Sequence, residues 1–311
     1  MVKSHRPNAG TVSNSDPLAV SPVHRAIRVV ALQVEPPAVA EAPTDISNWD
    51  CFDGALLSVC IRSGESFVIE GTAVMIGLGL ALSAKHVFDD HRDALARGDA
   101  ELICLGVRPH GALDIWRCYA MNSAGEGTGD LELLSLMLVS DWPADDRFMV
   151  LPLTTRIPHP GEELIVAGFR LGEPGESHSM SESEPLGGLL YVSKGQAGEF
   201  SYPIRDRVLA PYPTIEVFSG SLGGMSGGAV LDVNGHVVGI VSVGLSTEDH
   251  CGHTLAAWWM PTYFWRVDSH LWPAELNESG AALWSRSTVE IVGREYVEVL
   301  DEPNFNLTRW T

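Results

Sequence analysis

Ser226 stands in the run GGMSGGAV, residues 223–230, with two glycines on each side of a Met-Ser pair. A tight turn needs one or two glycines. Four of them around one hydroxyl suit a backbone that presents N–H groups to a bound molecule, with the serine exposed at the apex. A serine hydroxyl is a weak nucleophile at neutral pH, so chemistry at Ser226 requires a base, a group that orients the base, and donors for a developing oxyanion. The chain holds 11 histidines, most in polar, loop-like surroundings. His86 differs, because it ends the second arm of the apolar hairpin GTAVMIGLGLALSAKHVF and so falls at the rim of a β core. Two acids fit beside it. Asp130, in GTGDLELLSLML, opens an apolar β run after a glycine-rich loop, and Asp114, in GALDIWRCY, is the rival.

The elements that must position these groups are short β-favouring runs separated by Gly, Pro, Asn and Asp: ALLSVCIR, SFVIEGTAVMI, LALSA, ELICLGV, LELLSLMLV, ELIVAGF, LLYVS, AVLDV and HVVGIVSVG. That spacing predicts an antiparallel all-β sandwich or barrel rather than alternating strand and helix. Asn234-Gly235 in DVNGHVV is the strongest hairpin signal, and MIGLGLAL folds a second apolar run back on itself. Helix is expected only in DDHRDALARG and in PTYFWRVDSHL, where Pro261 suits the first turn. Residues 1–48 read as a loosely docked arm, 49–270 as one domain and 271–311 as an acidic extension whose one β-like stretch is TVEIVGREYVEVL.

A formal charge of −20 argues against a nucleic-acid surface and against anionic membranes, which both draw on clustered Lys and Arg. The longest apolar run, residues 71–84, is too short to cross a bilayer. The N-terminus lacks the apolar core of a secretory signal. Five scattered cysteines without a CxxC pair read as free thiols in a reducing compartment, so a cytoplasmic location is expected. His250, Cys251 and His253, with Asp249 adjacent, are too close in sequence to close a tetrahedral site without distant partners, and no metal is expected.

Taken together, GTAVMI and LSAKHV, then GDLELLSL, then GGMSGGAVLDVNGHVVGIVSVG resemble the three signature blocks of the trypsin-like, chymotrypsin-fold serine proteases, in that family's order of His, Asp and Ser. The resemblance spans residues 52–270. It implies two six-stranded antiparallel β-barrels with the site in the cleft between them, and a protein or peptide substrate cut through an acyl-enzyme without a cofactor. Residue by residue it implies Ser226 as nucleophile, His86 as general base and acid, Asp130 as the orienting acid, and the N–H groups of Gly224 and Ser226 as the oxyanion hole. It further implies that Ser242, Val243 and Gly244 receive the substrate as an added strand, that Ser242 contacts Asp130, and that Gly220 and Ser221 lie at the side-chain pocket.

The chain departs from the family's pattern at two positions. Met225 stands where digestive members carry an acid that pairs with a freed amino terminus, and GMSGG is more similar to bacterial, intracellular members of the HtrA group. Lys85 replaces a small residue before the histidine. Gly220 offers no carboxylate at the pocket floor, which favours a small or medium apolar residue on the acyl side of the cut; Glu248 and Asp249 read as a solvated loop. Such a protease in the cytoplasm is expected to be restrained, either by narrow specificity or by a regulatory partner. GMSGG also fits the G-x-S-x-G elbow of α/β-hydrolases, with Asp249 or Asp268 and His270 following the serine, but that fold needs more helix than this chain offers. The remaining alternative is a protease-like domain that only binds.

Overall fold

The computed structural model describes residues 25–26, 52–64, 66–108, 113–125, 128–141, 148–170, 177–179, 187–245, 253–266, 281–300 and 304–308. Twelve strands form two closed barrels. In the first, β1 (Leu56–Ser63), β2 (Ser66–Gly77), β3 (Leu80–Ser83), β4 (Glu101–Val107), β5 (Leu113–Ser123) and β6 (Glu132–Leu138) run in the order β2-β1-β4-β5-β6-β3, and β3 closes back on β2. In the second, β7 (Glu163–Arg170), β8 (Gly187–Ser201), β9 (Thr214–Phe218), β10 (Ala229–Leu231), β11 (Val237–Leu245) and β12 (His253–Trp258) run β10-β7-β8-β9-β12-β11, and β11 closes on β10. Every pairing in these two rings is antiparallel. Closure removes the sheet edges that an open all-β fold would have to protect.

The elements form where local chemistry asks for them. In β4 the side chains alternate, with Leu102 and Cys104 buried in the barrel and Glu101, Ile103 and Leu105 partly exposed, the period-2 pattern of a strand with one wet face. Gly79, in the left-handed region at φ 70°, turns β2 into β3. Between β10 and β11 the Asp232 carboxylate accepts the N–H groups of Asn234 and His236, and Gly235 at φ 80° completes the turn. These are the two hairpins expected from sequence. The first expected helix is a 3-10 turn over Lys85–His91 that passes into α1 (Arg92–Arg97), closed by Gly98 at φ 76°. The second is one 3-10 turn, Met260–Thr262, with Pro261 inside it; Tyr263 and Phe264 turn away and Arg266 bridges to Ala282. Residues 267–271, the rest of that expected helix, lie outside the described residues. No described helix is long and apolar enough to cross a membrane.

Beyond the barrels, the stretch TVEIVGREYVEVL is not one strand. Ile291–Val292 pairs in parallel with Leu153–Thr154, Gly293 breaks the run at φ 80°, a 3-10 turn covers Arg294–Tyr296, and Val297–Val299 pairs with Phe305–Leu307. Phe305 reaches the rings of Trp258, Tyr263 and Phe264 at 6.0–6.3 Å between centroids, so this segment lies on the second barrel. Within the N-terminal arm, Arg25 and Ala26 pair antiparallel with Gly188 and Gly187 of β8. Cys60, Cys104 and Cys118 are free thiols, and burial pushes Cys60 and Cys118 up to about 12; Cys51 and Cys251 lie outside the described residues.

Candidate active site

His86 is placed by the end of β3. Ala84 is still extended, and the 3-10 turn that follows buries Val87 and Phe88 while leaving the His86 ring 43% exposed at the barrel rim. Asp130 precedes β6 by two residues and is buried. Its Oδ1 accepts the backbone N–H of His86 at 3.0 Å, and its Oδ2 lies 2.7 Å from His86 Nδ1. Because an ionised carboxylate only accepts, Nδ1 carries the proton in the neutral ring, leaving Nε2 unprotonated. Ser242 Oγ donates to the same Oδ2, and Tyr212 stands behind it at 2.5 Å. With the Ser242 proton committed to Asp130, Tyr212 is the donor to Ser242. Burial alone would lower His86 and raise Asp130. The hydrogen bond and charge between them, aided by Asp89 on the histidine and by Ser242 on the carboxylate, win in both cases: His86 is held above 6.5 and Asp130 below 3.8. Asp114, the rival acid, is turned instead towards Arg108, 3.4 Å away.

An ion pair holds the two loops in register. Arg92 donates to the Lys85 carbonyl at 3.1 Å, to Glu132 Oε2 at 2.8 Å and to Ser123 Oγ at 2.9 Å. Glu132 is fully buried and lies two residues beyond Asp130. Lys85, unusual by its type, donates through Nζ to the Ala124 carbonyl at 3.2 Å and so stitches the histidine turn to the loop that carries Asp130.

The turn around Ser226 rests on the first barrel. Among the N–H groups of residues 224–228, Met225 donates to Leu222 O, Gly227 to Val241 O and Gly228 to Met225 O. Those of Gly224 and Ser226 take no partner among the described residues. Thr72 of β2 donates its N–H to Ser226 O at 2.8 Å and its hydroxyl to Gly224 O at 3.0 Å. Gly227 is at φ 84°, and a Cβ there would fall 1.9 Å from Thr72 O and 2.3 Å from Ser83 Oγ. Only glycine lets the serine turn sit this close to the strand ends that lead to His86. Gly71 has the same reason, since a Cβ on it would meet both Ser226 O and the Val87 side chain within 3 Å. Met225 is fully buried, and its Sδ accepts the N–H of Leu222 at 3.3 Å, so an apolar side chain anchors the turn where digestive relatives use an acid. No hydrogen bond joins Ser226 Oγ to His86 among the described residues.

Past Val241, whose N–H and carbonyl meet Gly228 and Gly227, the edge of β11 facing the serine turn carries no strand among the described residues, while its other edge pairs Val243 with Leu255 and Gly244 with Thr254. Ser242 is buried, Val243 partly exposed and Gly244 exposed. Across from this edge, Ser221 lies against Gly244: a Cβ on the glycine would be 2.8 Å from Ser221 Oγ and 2.9 Å from its carbonyl oxygen. Gly220 is buried behind it, its carbonyl accepting Ser193 Oγ at 3.0 Å. His253 packs edge-on to Phe218 and lies 3.4 Å from Glu216; Glu248, Asp249, His250, Cys251, Asp268 and His270 lie outside the described residues. The two barrels, with no alternation of strand and helix, exclude the α/β-hydrolase fold.

Thr72, Tyr212, Arg92 and Glu132 were not singled out by sequence reasoning. Thr72 falls inside the quoted GTAVMI block, but nothing in one sequence distinguishes a hydroxyl that bridges two barrels from one that fills a strand.

Residues 64–240, more than half of the chain, match the trypsin-like peptidase domain family. Among solved structures the chain is similar to the MamO protease domain of Magnetospirillum magneticum in its apo form, at 13% identity over 67% of this chain and 94% of that one, TM-score 0.44. It is also similar to the HtrA-type protease AlgW with tripeptide, at 18% identity over 68% of this chain and 59% of that one, TM-score 0.43, and to a serine endoprotease from Yersinia pestis, at 18% over 67% and 60%, TM-score 0.42. No curated protein matches the sequence. On the family match over residues 64–240, the chain belongs to the trypsin-like peptidase domain family, serine proteases that hydrolyse peptide bonds.

Proposed function

We propose that the protein is an endopeptidase working through Ser226, His86 and Asp130. His86 Nε2 takes the Ser226 proton as Oγ attacks the substrate carbonyl, the negative oxygen that forms is held by the N–H groups of Gly224 and Ser226, and His86 returns the proton to the leaving amine. Water then cleaves the acyl-enzyme by the same route in reverse. The observation that carries this reading is the hydrogen-bond accounting of the serine turn: three of five N–H groups are satisfied internally, and the two left over belong to Ser226 itself and to Gly224. The open edge of Ser242, Val243 and Gly244 receives the substrate backbone as an added strand. The close approach of Ser221 to Gly244 restricts the acyl-side residue to small side chains. The free thiols fit the cytoplasm, where narrow specificity or a regulatory partner restrains cleavage.

A second reading, a domain that binds peptides without cutting them, draws on the missing Ser226–His86 hydrogen bond. Catalytic hydrogen bonds often tighten only once substrate is bound, so the first reading is preferred. Labelling with a fluorophosphonate probe separates the two. An activated Ser226 labels in the wild type and fails to label in Ser226→Ala and His86→Ala; a wild type that stays unlabelled in the presence of peptide substrate leaves the binding reading.

A further inference from the structure

Thr72 makes four hydrogen bonds that no other described residue duplicates. Its hydroxyl donates to Gly224 O at 3.0 Å and accepts the N–H of Phe169, on β7, at 2.8 Å. Its backbone N–H reaches Ser226 O at 2.8 Å, and its carbonyl accepts Ser83 Oγ at 2.7 Å. It is fully buried. A single residue of the first barrel thus holds the two carbonyls that bracket Met225 on the second barrel, and it is fastened in turn to a strand of each barrel.

A carbonyl fixed at Gly224 fixes the plane of the peptide that follows. Together with the bond from Met225 N–H to Leu222 O, it leaves Gly224 little freedom in ψ although the glycine, at φ 90°, has no side chain to restrain it. The direction of the Gly224 N–H is set by that glycine's own torsions. We infer that Thr72 is a positioning residue for the oxyanion-binding N–H groups: its hydroxyl holds the Gly224 backbone so that the N–H vectors of Gly224 and Ser226 converge on one point. This rests on the role proposed above for those two groups. The hydroxyl has one proton, donated to Gly224, and its lone pair takes the Phe169 N–H, so valine at 72 keeps the shape and the backbone bond to Ser226 O while removing both side-chain bonds. Serine keeps all four.

The test uses full-length wild type, Thr72→Val, Thr72→Ser and Thr72→Cys. Two ligands are compared: an alanine peptide boronate, whose tetrahedral adduct with Ser226 presents an anionic oxygen to the two N–H groups, and the same peptide as its amide. Thr72→Val is expected to weaken the boronate by about 10- to 100-fold, in line with the loss from a misplaced catalytic group, while the amide changes by less than about twofold. Thr72→Ser is expected to bind both like wild type, and Thr72→Cys, a weaker donor, to fall between. Hydrogen exchange at Met225, Gly227 and Gly228 should rise about tenfold in Thr72→Val alone. Equal loss for boronate and amide, or no loss for the boronate, overturns the inference. If Thr72→Val does not fold, a Thr72→Cys protein indistinguishable from wild type overturns it. Should wild type itself fail to take the boronate, the proposed function is at fault, and unchanged exchange in a folded variant then overturns the role of Thr72 independently.

Discussion

Asp130 grips His86 twice, through the backbone N–H at 3.0 Å and through Nδ1 at 2.7 Å, so one carboxylate sets both where the histidine backbone lies and which nitrogen carries the proton. Asp130→Asn keeps the shape and presents an amide that is free to donate, which reverses the tautomer. The expected outcome is a fall in kcat of about 10⁴-fold with a folded protein, as for the same change at the type-case triad, read by steady-state hydrolysis and circular dichroism.

The same pair makes stability and activity diverge with pH. Asp130 lies below its ordinary 3.8, so its contribution is present above that pH and is lost as the pH falls through the depressed value. His86 lies above 6.5, so its contribution is complete below 6.5 and is lost as the pH rises through the raised value. The Tm difference between wild type and Asp130→Asn should therefore be largest between about pH 4 and 6.5. Activity, which needs neutral His86, should rise above that window. A Tm difference that grows steadily towards pH 9 would contradict the assignment.

Behind Asp130, Ser242 and Tyr212 form a donor chain ending on Oδ2. Removing either donor leaves the carboxylate's charge more available to His86. The acid limb of kcat/KM should shift to higher pH in Ser242→Ala, and in the same direction but by less in Tyr212→Phe. Full pH profiles of both variants check the order and the sign.

Ser221 against Gly244 sets the width of the proposed pocket. A peptide library should show Gly, Ala and Ser favoured on the acyl side of the cut. Ser221→Gly should raise kcat/KM for medium apolar residues by about tenfold, the scale of a methylene or two in such a pocket. Unchanged preference would place the selectivity elsewhere.

Arg92 is the partner of a fully buried carboxylate, Glu132. Arg92→Met should destabilise the fold by about 3 kcal/mol, because it leaves that charge uncompensated. Adding Glu132→Leu should recover most of the loss, whereas activity should stay low, since the Lys85 carbonyl beside His86 has still lost its donor. Denaturant melts and kcat of the single and double variants distinguish the two effects.

Nine of the twelve barrel strands are legible in the sequence, because apolar runs of strand length are bounded by residues that turn the chain. The three that are not have plain reasons: β5 interrupts its apolar residues with a buried Asp114 and an exposed Arg117, β9 is only five residues, and β12 includes two adjacent alanines. His86, Asp130 and Ser226 could be proposed from the sequence because each sits in a local pattern of glycine and apolar residues. By itself the sequence determined the strand content, the two Gly-centred hairpins and the candidacy of Ser226, since these depend on neighbours along the chain. Only the tertiary structure set Asp130 against His86 and turned Asp114 towards Arg108, and it brought Thr72, Tyr212 and Arg92 to their places. Those choices depend on contacts between residues far apart in sequence, such as Thr72 and Gly224 at 152 positions, and only the closure and docking of the two barrels brings such residues together.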